Sequence, residues 1–112
     1  MARTEYNKLI RDRIPEIIAS KGDDCFITEI LDDSDFEIAL RDKLVEEAKE
    51  LRCADDDSLV DELADIYELL DTFRNHHGIT PEQIAEARME KLVARGGFQK
   101  RLKLHWAESK SR

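Results

Sequence analysis

Apolar positions along this chain recur mostly at helical spacing, and the segments that carry the pattern are separated by turn residues. Phe36, Leu40, Leu44, Ala48 and Leu51 fall on one face of a helix, taking about 100° per residue. Ser34 followed by Glu37 is a capping-box pair that predicts a start near Asp35, and the helix should reach about Arg52. Cys53 to Asp57 then reads as a short polar loop. Ser58 or Asp57 caps a second long helix to about Asn75, with Ile66, Leu69 and Phe73 on its apolar face. A loop this short makes the two helices an antiparallel hairpin. Upstream, Pro15 fits the first turn of a short helix from about Ile14 to Ser20, which Gly22 ends. Downstream, Gly78 stops the second long helix. Thr80, Pro81 and Gln83 supply a cap, a first-turn proline and the third capping-box residue of another helix, ending near Arg95.

Two stretches break the helical period. Cys25 to Leu31 is rich in β-branched and aromatic residues, and Phe98, Leu102, Leu104 and Trp106 alternate with Gln99, Arg101, Lys103 and His105. The expectation is an all-α antiparallel bundle of three to four helices with a short two-stranded β element made by pairing these two runs. Residues 1–106 would form one domain, and the polar stretch 107–112 a disordered tail.

Inside the helical pattern sit carboxylates on the wrong face. Glu47 is three residues after Leu44 and four before Leu51, so a helix that buries those leucines carries Glu47 inward, with Glu46 and Glu50 along the same edge. Glu62 shares its face with Ile66, Leu69 and Phe73, and Asp65 lies about 60° away on the next turn. In an antiparallel hairpin the position numbers of facing residues total a near-constant. Glu50 with Glu62 and Glu47 with Asp65 both give 112. Four acidic groups should therefore converge between the helices. An unpaired buried carboxylate costs several kcal/mol or takes up a proton, so such a cluster calls for a cation, and oxygen donors select Mg²⁺, Mn²⁺ or Ca²⁺. Asp61, Glu68 and Asp71 point elsewhere and read as solvated charges; Asp55, Asp56 and Asp57 read as a turn and cap.

Composition bounds what the site serves. The chain has 112 residues, 41% hydrophobic and 39% charged, with four glycines and two prolines, as expected of a helix-rich globular domain. A net charge of −8 repels a polyanion at long range, so no nucleic-acid polymer is expected as a partner. No apolar run approaches a membrane span and the N-terminus has no signal-peptide core, which points to the cytoplasm, with Cys25 and Cys53 as reduced thiols. Basic groups remain to meet phosphate oxygens: Arg88, Lys91 and Arg95 recur at helical spacing, and Lys8, Arg11 and Arg13 cluster near the N-terminus. His76, His77 and His105 suggest no catalytic role.

Glu46-Glu47-x-x-Glu50 followed by Glu62-x-x-Asp65 resembles the signature of the MazG-like all-α nucleotide pyrophosphohydrolases. Tyr6-Asn7-Lys8-Leu9-Ile10-Arg11-Asp12-Arg13-Ile14-Pro15-Glu16 and Arg95-Gly96-Gly97-Phe98 resemble the phosphoribosyl-ATP pyrophosphohydrolase-like branch. The resemblance implies that Glu47, Glu50, Glu62 and Asp65 ligate Mg²⁺, with Mn²⁺ as an alternative. Glu46 would orient or deprotonate the attacking water, and Lys91 and Arg95, with Lys8 and Arg11, would contact substrate phosphates. It further implies a hydrolase that converts a nucleoside triphosphate to a monophosphate and pyrophosphate in nucleotide-pool house-cleaning, and a homodimer or higher homo-oligomer. Met89 stands where relatives often carry an asparagine, so base and sugar recognition do not transfer. Two other readings stay open: a phosphoribosyl-ATP pyrophosphohydrolase of histidine biosynthesis, and a catalytically silent helical interaction module.

Overall fold

The computed structural model describes residues 3–22 and 26–110. They fold into four α-helices, α1 (Ile14–Ser20), α2 (Asp33–Cys53), α3 (Leu59–His76) and α4 (Pro81–Arg95), with a 3₁₀ turn at Asp56–Ser58. The all-α class follows directly. The chain divides into two compact units, Met1–His77 and Gly78–Arg112. No described helix is long and apolar enough to cross a membrane.

In the first unit α2 and α3 pack as an antiparallel hairpin whose register is readable at both ends. Near the loop, Glu47 meets Asp65. At the far end, the rings of Phe36 and His76 meet edge to face at 5.1 Å. Both pairs total 112 in position number, as the short loop predicts. Leu40, 2% exposed, is fully buried, while Phe36, Leu44 and Leu51 of α2 and Ile66, Leu69 and Phe73 of α3 are half-buried. Ala48, expected in the stripe, is exposed instead, and the neighbouring Glu47 takes the inward position.

The helix starts correct two expectations about caps. Asp32, in extended backbone, accepts a hydrogen bond from the Asp35 amide and caps α2, so the Ser34–Glu37 pair lies inside the helix rather than at its boundary. Asp32 takes the extended backbone that aims its carboxylate at the Asp35 amide, one of the donors a helix start leaves without an intrahelical partner. Likewise Asp55 accepts from the Ser58 amide and caps the 3₁₀ turn, which leads into α3, where Ser58 makes no side-chain cap. In the second unit Thr80 and Gln83 form the reciprocal capping box expected of them.

The predicted two-stranded β element does not form among the described residues. Cys25 lies outside them, and 26–31 carries no strand, with Ile27 and Ile30 fully open to solvent. The C-terminal run is broken at its start. Residues 98–101 turn back on themselves, the Arg101 amide donating to the Phe98 carbonyl at 3.0 Å, and Arg101 has a φ of +58°. A left-handed residue at that point ends the period-2 alternation, and without a ladder partner β-branched and aromatic residues alone do not make a strand. Residues 107–110 carry no regular secondary structure.

Candidate metal centre

Helical periodicity delivers Glu47 from α2 and Glu62 and Asp65 from α3 to the interior of the hairpin. Oxygen atoms of Glu47, Glu62 and Asp65 lie within 4.8 Å of one another, and those of Glu46, Glu47 and Glu50 form a second such group, so Glu47 belongs to both. Burial separates these carboxylates. Glu47 is 5% exposed; Glu46, Glu62 and Asp65 are half-buried; Glu50 reaches solvent. Asp61, Glu68 and Asp71 are exposed on α3, as their positions predicted.

Two atoms define the chemistry. Glu47 Oε2 and Glu62 Oε2 are buried and have no hydrogen-bond partner. A buried carboxylate oxygen without a donor is costly, and two of them facing like charges are more so. The protonation equilibria reflect this. Burial pushes the Glu47 carboxyl up to about 7, helped by the hydrogen bond and negative charge of Glu50 and by the charge of Asp65, and opposed by Lys43. Glu62 moves in the same direction, first through burial and then through the charges of Glu50 and Asp65. The arrangement fits a hard divalent cation: clustered oxygen donors, no thiolate or imidazole in the group, and two buried oxygens without a donor.

Three cations rim the cluster. Lys43, one turn before Glu46 and Glu47, approaches them to 3.4 Å and 3.6 Å. Sequence reasoning passed over this residue, although its spacing to both glutamates is the ordinary signal of a helical ion pair. Lys8 Nζ donates to Glu46 Oε1 at 3.0 Å and Arg11 Nη2 donates to Asp65 Oδ1 at 2.7 Å. The Lys8 hydrogen bond holds Glu46 below the usual carboxylate range, with Lys43 adding to the effect, and the same bond raises Lys8. Of the cations expected to meet phosphate, Lys8 and Arg11 thus lie at the carboxylates. Lys91 and Arg95 lie exposed on α4 in the second unit.

His76 and His77 lie at the far end of the hairpin. His77 Nε2 lies 2.6 Å from Glu37 Oε1 and His76 Nε2 lies 3.9 Å from the same atom, joining the end of α3 to the start of α2. Burial raises the Glu37 carboxyl, but its hydrogen bonds to Arg41 and His77 outweigh that and hold it low. Cys53 is an exposed free thiol.

Comparison with protein-family models, with curated proteins and with solved structures finds no match to this chain.

Proposed function

We propose that the protein is a Mg²⁺-dependent nucleotide pyrophosphohydrolase of MazG-like type, releasing pyrophosphate and a nucleoside monophosphate from a nucleoside triphosphate. The observation that carries this reading is the pair of orphan buried oxygens on Glu47 and Glu62, set against Asp65 and Glu50. Glu47, Glu50, Glu62 and Asp65 would hold Mg²⁺ or Mn²⁺. The ion would supply charge neutralisation at phosphate oxygens and a more acidic bound water.

The protein's own groups divide the remaining work. Glu46, kept ionised by Lys8 and Lys43, is suited to orient a water by accepting its hydrogen bond. Its lowered pKa makes it a weaker proton store than a base poised near neutrality. Lys8 and Arg11 lie where they could meet phosphate oxygens beside the carboxylates, and Lys91 and Arg95 offer a second basic stripe. A house-cleaning role and cytoplasmic location accompany this reading. So does assembly into a homodimer or larger homo-oligomer, which would cover exposed apolar side chains such as Ile38, Val45, Val60 and Tyr67.

The test is pyrophosphate release with Mg²⁺ across canonical, deoxy and damaged nucleoside triphosphates and phosphoribosyl-ATP. Turnover of at least one is expected. Asp65→Asn should abolish it while leaving the helical circular dichroism and melting transition in place. Release from phosphoribosyl-ATP alone would identify the biosynthetic enzyme. Release from none, with no Mg²⁺-dependent change in melting temperature, would mark a silent interaction module and end the enzymatic reading.

A further inference from the structure

Residues 3–13 have no regular secondary structure, yet they meet the hairpin through two cations placed on its acidic cluster. Arg11 Nη2 sits 2.7 Å from Asp65 Oδ1, and Lys8 Nζ sits 3.0 Å from Glu46 Oε1. Arg13, two residues on, pairs instead with Glu16 of α1. The segment therefore sets Arg11 against a carboxylate that a divalent ion would use, and Lys8 against the carboxylate next to Glu47.

A guanidinium and a divalent cation cannot both take the same carboxylate lone pairs at full strength. A divalent ion carries twice the charge and would be held by carboxylates from both helices, whereas the Arg11 side chain is 59% exposed and its pair correspondingly weak. The exchange is thus biased toward the ion and remains a real competition. A displaced guanidinium stays tethered beside the site with its fork of donors free, the geometry that suits a phosphate.

We infer that Arg11, assisted by Lys8, is an exchangeable counter-ion of the carboxylate cluster: it occupies Asp65 until a divalent cation takes that carboxylate, and then serves as a phosphate ligand. The inference rests on the metal-centre reading and adds an ordered hand-over to it. One substitution must therefore have effects of opposite sign. Removing Arg11 removes a competitor for the metal and a ligand for the phosphate.

Mn²⁺ affinity measured by titration, and inorganic pyrophosphate affinity measured on protein saturated with Mg²⁺, separate these effects without recourse to turnover. Arg11→Gln should bind Mn²⁺ about threefold more tightly than the parent protein, the scale of an exposed ion pair. It should bind pyrophosphate more weakly. Arg13→Gln, which removes the same charge from the same segment without that contact, should leave Mn²⁺ affinity within about 1.5-fold. Unchanged or weaker Mn²⁺ binding by Arg11→Gln, unchanged pyrophosphate binding, or an equal gain in Arg13→Gln overturns the hand-over and leaves the metal centre standing. Absence of Mn²⁺ binding by the parent protein overturns both.

Discussion

At the scale of single residues, Glu47 is the side chain shared by both acidic groups of the candidate centre. Its inward position was legible from the sequence, because a carboxylate three residues after Leu44 and four before Leu51 cannot leave the face that buries them. The cations were less legible. Lys43 could have been read from helical spacing, but the Arg11–Asp65 pair joins a non-periodic segment to a helix 54 positions away, and no local pattern encodes that path. A pH prediction follows from Glu47. Its carboxyl is raised from 4.5 to about 7, so as pH climbs between those values the unfolded chain ionises while the folded one holds its proton. Below 4.5 the group contributes nothing, and above about 7 its full penalty is present, roughly 3 kcal/mol. In EDTA the protein should therefore lose stability across this window. Glu47→Gln should be the more stable protein at pH 8 and show a flatter profile in thermal melts, and a variant profile parallel to that of the parent would contradict the burial assigned to Glu47.

At the scale of elements, helix positions were legible and helix boundaries less so. The bounds of α1 and α4 follow from Pro15, Gly22 and the Thr80 capping box, features whose physics is local. The start of α2 was misplaced because Asp32 and Ser34 are both good caps, and sequence alone does not say which one adopts the extended backbone that aims its oxygen at the third amide. This gives a discriminating pair of substitutions. Asp32→Ala should cost about 1 kcal/mol in denaturant unfolding, while Ser34→Ala should stay within about 0.5 kcal/mol. Equal losses would return the cap to Ser34. The β element was misread for a different reason: alternation reports which residues could pack on a pleated surface, whereas a strand also needs a partner and an unbroken backbone. The left-handed Arg101 interrupts the second run near its start, and Ile27 and Ile30 of the first run lie exposed.

At the scale of the whole molecule, the hairpin buries little apolar surface. Leu40 is the only fully buried apolar side chain among the described residues, so Leu40→Ala should remove roughly 2–4 kcal/mol. Large apolar side chains are left open, among them Val60, Tyr67 and Leu70, and would drive the proposed self-association. Sedimentation at micromolar concentration should return a multiple of 13.0 kDa, and a monomer mass would remove the assembly from the functional reading. What the hairpin does achieve is register, carrying acidic groups from two helices to one point. Calorimetric titration of Mn²⁺ into the intact protein measures that most directly. The structure predicts saturable binding that Glu62→Gln weakens at least tenfold while the melting transition is retained, as expected when one of a few charged ligands is lost. Binding equal in the parent and in Glu62→Gln would contradict a metal centre between α2 and α3.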